Sequence, residues 1–197
     1  MQHPAAEQQP AVDAKAKRPA FAILTIEDDV QLFRGNRNNF ADLIKTGREH
    51  GFITYVVTAS QLKLSKPRVA GFTFNEETQT WKKGWFPLPD IVYNRVPMRE
   101  DEMQPAVRRK IAACLKHPHI RLFNPSFFNK WSLFEWLSLS KTTRPYIPAT
   151  RRLASRESLR RMLKQHPFLY LKPVSGKAGV GIMSVRLYKE KQMPYRL

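Results

Sequence analysis

Short apolar runs alternate with polar stretches along this chain, and their spacing predicts its elements. FAILTI, Phe21–Ile26, reads as a buried strand, with Glu27, Asp28 and Asp29 at its carboxyl end. Asn36 is placed to cap a helix running to about Arg48, with Phe40, Leu43 and Ile44 on its inner face. Gly47 should weaken that helix and Gly51 end it. FITYVV, from Phe52, is a second strand, and strand–helix–strand at this spacing predicts a βαβ unit with parallel pairing. VAGFTF and WKKGWF, joined by the polar NEETQT, predict a β-hairpin near residues 68–86. Its Trp81, Trp85 and Phe86 read as packing residues rather than a base-stacking platform.

Within PLPDIVYNRVP, Asp90–Tyr93 is a short strand with Asn94 and Arg95 at its carboxyl end. Glu100–Lys116 reads as one helix, acidic at its start and basic at its end, with Val107, Ile111 and Leu115 as its stripe. RLF, from Arg121, is another strand. Ser126–Leu139 reads as a helix whose Phe127, Lys130, Phe134 and Leu137 share one face, thickened by Trp131. Pro145 and Pro148 break any continuation and suggest a linker between lobes. Ala149–Leu153 reads as a strand, and Ser155 as the cap of a helix to about Gln165 with Leu159 and Leu163 inward. Phe168–Leu171 and the run from Ile182 to Tyr188 are strands on either side of a glycine-rich loop. No internal repeat is visible.

Composition narrows the class. The 197 residues are 42% hydrophobic, enough for one large domain or two small ones. Lys and Arg number 34 against 16 Asp and Glu, a formal charge of +18, which favours anionic partners without choosing among them. Cys114 is the lone cysteine, so no internal disulfide forms, and a reducing compartment is the simpler reading. No secretory leader or membrane-length apolar run is visible, which points to a soluble intracellular protein. Residues 1–19 are polar and read as a disordered basic tail.

Candidate chemistry gathers at FLYLKPVSGKAGVGIMSV, Phe168–Val185. Gly176, Gly179 and Gly181 permit positive φ and close backbone approach, and exposed amides in such a loop can cradle an anion. Lys172 ends the first strand on the face of Phe168 and Tyr170, where an ammonium beside amide donors suits a polyphosphate. A hairpin with an edge lysine fits the local pattern as well. The loop matches neither GxxxxGK[ST] nor GxGxxG. Lys130 is a second oddity: inside an apolar stripe, it either snorkels to solvent or meets an anion. Arg95, at a strand's carboxyl end, could hold a carboxylate or phosphate or pair with Glu100 or Asp101. His117 and His119 are too few for a metal site.

Four blocks in order, PLPDIVYNRVP, FNPSFFNKW, TRPYIPAT and YLKPVSGKAGVGI, resemble the amino-terminal part of an ATP-grasp protein of the YheC/YheD endospore coat-associated group. The resemblance implies a pre-ATP-grasp α/β parallel-sheet domain over residues 20–123, then a partial ATP-grasp lobe over 124–197, truncated before its second half. It implies ATP as ligand, with Lys130 and Lys172 on its phosphates and Ser175, Gly176, Lys177, Gly179 and Gly181 in the closing loop. Asn94 and Arg95 would contact an acceptor substrate. Mg²⁺ ligands are expected beyond this chain, and none is visible within it. The complete fold would activate a carboxylate as an acyl phosphate for attack by an amine or similar nucleophile. Spore coat components are implied as partners, with a cytoplasmic or coat-associated location. The alternative is a basic polyanion-binding or structural coat module without catalysis, although no nucleic-acid-binding motif is present.

Overall fold

A computed structural model describes residues 18–176 and 179–187, in two compact units that divide between Phe127 and Phe128. The proposed tail lies outside the described residues, except that Arg18 is held in place: its guanidinium donates to the carbonyls of Gly51 and Phe52, both at 3.0 Å.

The first unit is a mixed α/β structure. Strands β1 (Ala20–Thr25), β2 (Ile53–Thr58), β3 (Arg68–Asn75), β4 (Thr80–Pro87), β5 (Ile91–Asn94) and β6 (Arg121–Phe123) form one sheet in the order β4-β3-β2-β1-β5-β6. The β2-β1-β5-β6 segment is parallel, while β3 and β4 add an antiparallel hairpin at one edge. Alternation along β1 explains the two cores. Ala20, Ala22 and Leu24 point to one face, where helix α3 (Pro105–Lys116) supplies Val107, Ile111 and Cys114. Ile23 points to the other, where helix α1 (Arg37–Glu49) supplies Phe40 and Ile44 beside Phe33 and Phe72.

Asn36 caps α1 by accepting from the Asn39 amide at 3.1 Å. α1 runs through Gly47, which lets it approach the sheet: a Cβ there would lie 2.0 Å from Thr54 Oγ1. Trp81 and Phe86 pack against opposite cores, whereas Trp85, read as a packing residue, is 65% exposed.

The single helix expected over Glu100–Lys116 is two, α2 (Arg99–Met103) and α3. Gln104 precedes Pro105 and is driven out of the helical region, to ψ 133°. Within α3 the stripe of Val107 and Ile111 continues to Cys114, which is buried, while Leu115 is exposed. Burial pushes the Cys114 thiol up to about 11, against a smaller opposing pull from Lys110.

The second unit contains helix α4 (Lys130–Leu139), a 3-10 turn at Arg144–Tyr146, helix α5 (Arg156–Gln165) and an antiparallel ribbon of β7 (Phe168–Leu171) and β8 (Met183–Arg186). The helix expected from Ser126 begins only at Lys130, because the Asn129 side chain accepts from the amides of Trp131 and Ser132 and caps it there. Ala149–Leu153, expected as a strand, forms none. Ser155 and Ser158 close a capping box on α5. No helix of the described residues is long and apolar enough to cross a membrane.

Candidate nucleotide site

Lys130 and Lys172 lie 42 positions apart in the sequence, yet they line one cavity of about 740 Å³ in the second unit. Capping at Asn129 makes Lys130 the first residue of α4. Its amide donates to the Val174 carbonyl at 3.0 Å and its Nζ to the carbonyl of Gly176. Lys130 therefore neither snorkels freely nor sits inside a helical stripe. It ties the start of α4 to the glycine loop. Lys172 follows β7 directly and is exposed, with Nζ 6.0 Å from the Tyr170 ring centroid.

The glycine loop contributes unevenly. Gly179 and Gly181 take φ of +80° and +72°, conformations that side chains with a Cβ rarely adopt. Gly181 lines the cavity; Ser175, Gly176 and Gly179 do not. Gly176 acts through its carbonyl, on Lys130. Lys177 lies outside the described residues.

The cavity wall has a chemical sense. Among the described residues Lys130, Lys172, Arg151 and Arg152 are its fixed cations, His166 adds a titratable ring, and no Asp or Glu lines it. Trp131, Leu159, Met162, Phe168, Leu169 and Met183 give it apolar surface. Such a wall suits a ligand with an apolar, planar part and several negative charges. Arg152 stacks over the Trp131 ring at 5.6 Å, so its guanidinium is placed by an aromatic face. In the sequence Arg151 and Arg152 belong to a basic block, Lys141–Lys164, that points to polyanions in general and not to this cavity. Their signal was the pair of arginines just after Pro148, where the chain turns back without regular structure.

Among the described residues no group of three or more His, Cys, Asp or Glu side chains is placed to hold a metal ion. A second cavity, of about 410 Å³ in the first unit, is walled by Glu27, Asp28, Asp29, Arg34 and Gln104. Its acids are engaged locally: Asp28 accepts from the amides of Val30 and Gln31, and Glu27 from the amide and hydroxyl of Ser60.

Asn94 and Arg95 part company. Asn94 is buried; its Nδ2 donates to Glu102 Oε2 at 3.0 Å and its Oδ1 accepts from the Val96 amide at 3.2 Å. That is a structural brace, with both amide groups engaged inside the unit. Arg95 is partly buried, and its partners are neutral: Tyr93 Oη and Asn39 Oδ1, each at 3.2 Å. The ion pair considered for it does not form, because Asp101 pairs with Arg34 at 2.8 Å.

Comparison with known proteins agrees with the sequence blocks. Residues 119–196 match the family model described as YheC/D like ATP-grasp. The chain is 28% identical over 167 residues to the endospore coat-associated protein YheD of Bacillus subtilis (strain 168), an alignment covering 83% of this chain and 36% of that protein. It is 23% identical over 150 residues to the endospore coat-associated protein YheC of the same organism, covering 76% of this chain and 41% of that protein. The chain spans about two-fifths or less of the curated relatives it matches. The resemblance to the YheC/D-like ATP-grasp group is thereby borne out, at modest identity.

Proposed function

We propose that the second unit binds the polyphosphate of ATP, as part of an ATP-grasp protein of the YheC/D type. One observation carries the reading: Lys130 and Lys172, remote in sequence, line a single cavity with Gly181 and, among the described residues, with no carboxylate. Two ammonium groups offset phosphate charge by direct charge-assisted contact. The Lys130–Gly176 contact supports a loop whose position follows the lysine, so that phosphate drawing Lys130 away would release the loop toward the ligand. Arg151 and Arg152 add charge on the same wall. Trp131 and the β7 side chains offer apolar surface for a base.

In a complete ATP-grasp protein the expected chemistry is carboxylate activation. A carboxylate oxygen bonds to the γ-phosphorus as the bond to the β,γ-bridging oxygen breaks, giving an acyl phosphate and ADP. An amine or similar nucleophile then displaces phosphate. Magnesium would supply charge neutralisation in such chemistry, but the described residues offer no ligand set for it. The side chains of the second unit contribute electrostatic binding and positioning. The acceptor, the product and association with a spore coat stay with the longer relatives as proposals for this chain.

Titration calorimetry with ATP tests the reading. Saturable binding is expected, weakened about ten- to a hundredfold by Lys172→Ala, the loss of one charge-assisted contact. Unaltered affinity in both Lys172→Ala and Lys130→Ala would end it. A second reading, a polyanion-binding module, draws on the charge distribution: after residue 127 the sequence carries 15 Lys and Arg against 3 Asp and Glu. It predicts heparin retention that falls steeply with salt and is indifferent to Lys172.

A further inference from the structure

The first unit holds a partly buried charge, Arg95, that no carboxylate among the described residues pairs with. Arg95 follows β5 directly, and its amide donates to the Leu24 carbonyl at 2.8 Å, which fixes its backbone to the end of β1. Its guanidinium lies 5.4 Å from the Tyr93 ring centroid and 5.9 Å from that of Phe40. Its hydrogen-bond partners are a phenol and an amide oxygen. Among the described residues no carboxylate comes within ion-pair distance of it; the acids that form such pairs are Asp101, with Arg34, and Glu76, with Lys45 and Arg48. Two rings and two neutral acceptors offset part of the cost of partly burying this guanidinium, but no opposite charge among the described residues does.

The topology gives the charge a place. β1 is flanked by β2 on one side and β5 on the other, both parallel to it. The chain leaves β1 through α1 toward β2 and later reaches β5 on the opposite side. The carboxyl ends of β1 and β5 are therefore the point where connections diverge, the position at which open α/β sheets hold ligands. Asn39, which fixes one nitrogen of Arg95, stands in the first turn of α1, and that turn carries no acid.

We infer that Arg95 anchors an oxyanion site of the first unit, at the diverging ends of β1 and β5, that takes the carboxylate or phosphate of a small-molecule ligand. Asn39 and Tyr93 orient the guanidinium fork, and the oxyanion supplies the missing charge. The site stands on the first unit alone and does not depend on nucleotide binding in the second.

The test is a heteronuclear NMR titration of the full chain with inorganic phosphate in one arm and acetate in the other, following the backbone amides of Asn39 and Arg95. Saturable shifts at both positions are expected in at least one arm, in wild type and equally in Lys172→Ala. The arm that saturates assigns the group as phosphoryl or carboxylate. Arg95→Gln should weaken the response at least about tenfold. Absence of saturable shifts at these amides in both arms overturns the inference, as does an Arg95→Gln protein that titrates like wild type. The wild-type titration decides alone if that variant does not fold. Failure of Lys172→Ala to alter ATP binding would count against the nucleotide reading only.

Discussion

The two units are built on opposite terms. In the first, two cores lie on the two faces of one sheet, and Phe33, Phe40, Ile23, Leu24 and Tyr55 are almost wholly removed from water. In the second, Leu163 is the one hydrophobic residue that is buried among the described residues, while Trp136, Leu139, Tyr146 and Met183 are more than half exposed. A two-stranded ribbon and short helices bury little apolar surface against the entropy of ordering them. The first unit is thus a scaffold whose sequence is dictated by packing. The second is a surface, whose residues are placed by caps, a glycine loop and a few polar contacts. Its site residues can be changed with little effect on packing, whereas the first unit's interior cannot.

The largest effect should come from the scaffold. Phe33 packs against Phe40, Phe72 and Trp81 with ring centroids 4.9–6.0 Å apart. Phe33→Ala should cost about 3–5 kcal/mol, read by urea unfolding. Trp136→Ala, in the second unit, should stay within about 0.5 kcal/mol. Equal losses for the two would erase the contrast. Amide exchange sharpens it further: protection in β1 and β2 should approach that of global unfolding, and protection in β7 and β8 should be far lower.

Next in size is the loss of ATP affinity in Lys172→Ala, about 1.5–3 kcal/mol if one charge-assisted contact disappears. Lys172 is exposed, so the same substitution should leave the unfolding curve in place. A variant that loses affinity and stability together would mean that Lys172 belongs to the framework.

This contrast also explains what could be read from the sequence. Where burial sets the pattern, the pattern was legible: β1, α1, β2 and the hairpin follow from period and caps, and Asn36 caps α1 as its side chain demands. Errors came where a local rule overrode the period. Gln104 yields to Pro105 and splits one helix into two; within the second, i+3 rather than i+4 from Ile111 is buried, at Cys114 instead of Leu115. Asn129 starts α4 four residues later than its apolar stripe suggested. In the second unit Lys130 stood out because a lysine in an apolar stripe is costly, and Lys172 because it ends a strand beside the amides of a glycine loop. Arg151 and Arg152 did not, because cations in a basic run look alike until a backbone brings two of them to a cavity. Asn94 and Arg95 were indistinguishable as neighbours; only Glu102 and the Val96 amide, which engage the asparagine, separate them.

A smaller effect has a sign that opposes the usual rule. Replacing glycine by alanine inside an exposed helix stabilises by about 1 kcal/mol. Gly47 lies in α1 against β2, where a methyl would meet Thr54 Oγ1 at 2.0 Å and Thr54 Cβ at 2.9 Å. Gly47→Ala should therefore destabilise, by about 1–3 kcal/mol, as helix and strand are forced apart. Gly47→Ala combined with Thr54→Ala should recover part of the loss. A stabilised single variant would show that α1 is not seated on β2 as closely as the scaffold requires.

The smallest effect concerns the loop between β1 and α1. Burial is the largest single influence on Glu27 and would raise its pKa, but the Ser60 hydroxyl together with backbone amides outweighs it and holds the carboxyl below its ordinary 4.5. The folded chain therefore binds fewer protons than the unfolded chain near that pH, and stability rises with pH through this range. The contribution is present above about 4.5 and is lost as pH falls through the lowered folded value. Glu27→Gln keeps an acceptor for Ser60 but cannot titrate. Its stability deficit relative to wild type should be small near neutral pH, since Glu27 is exposed, and should shrink further in acid. Urea unfolding of the two proteins across this range measures the difference directly. A deficit that stays constant, or grows in acid, would mean that the Glu27–Ser60 contact contributes no charge-dependent stability and that the loop after β1 is held by its packing alone.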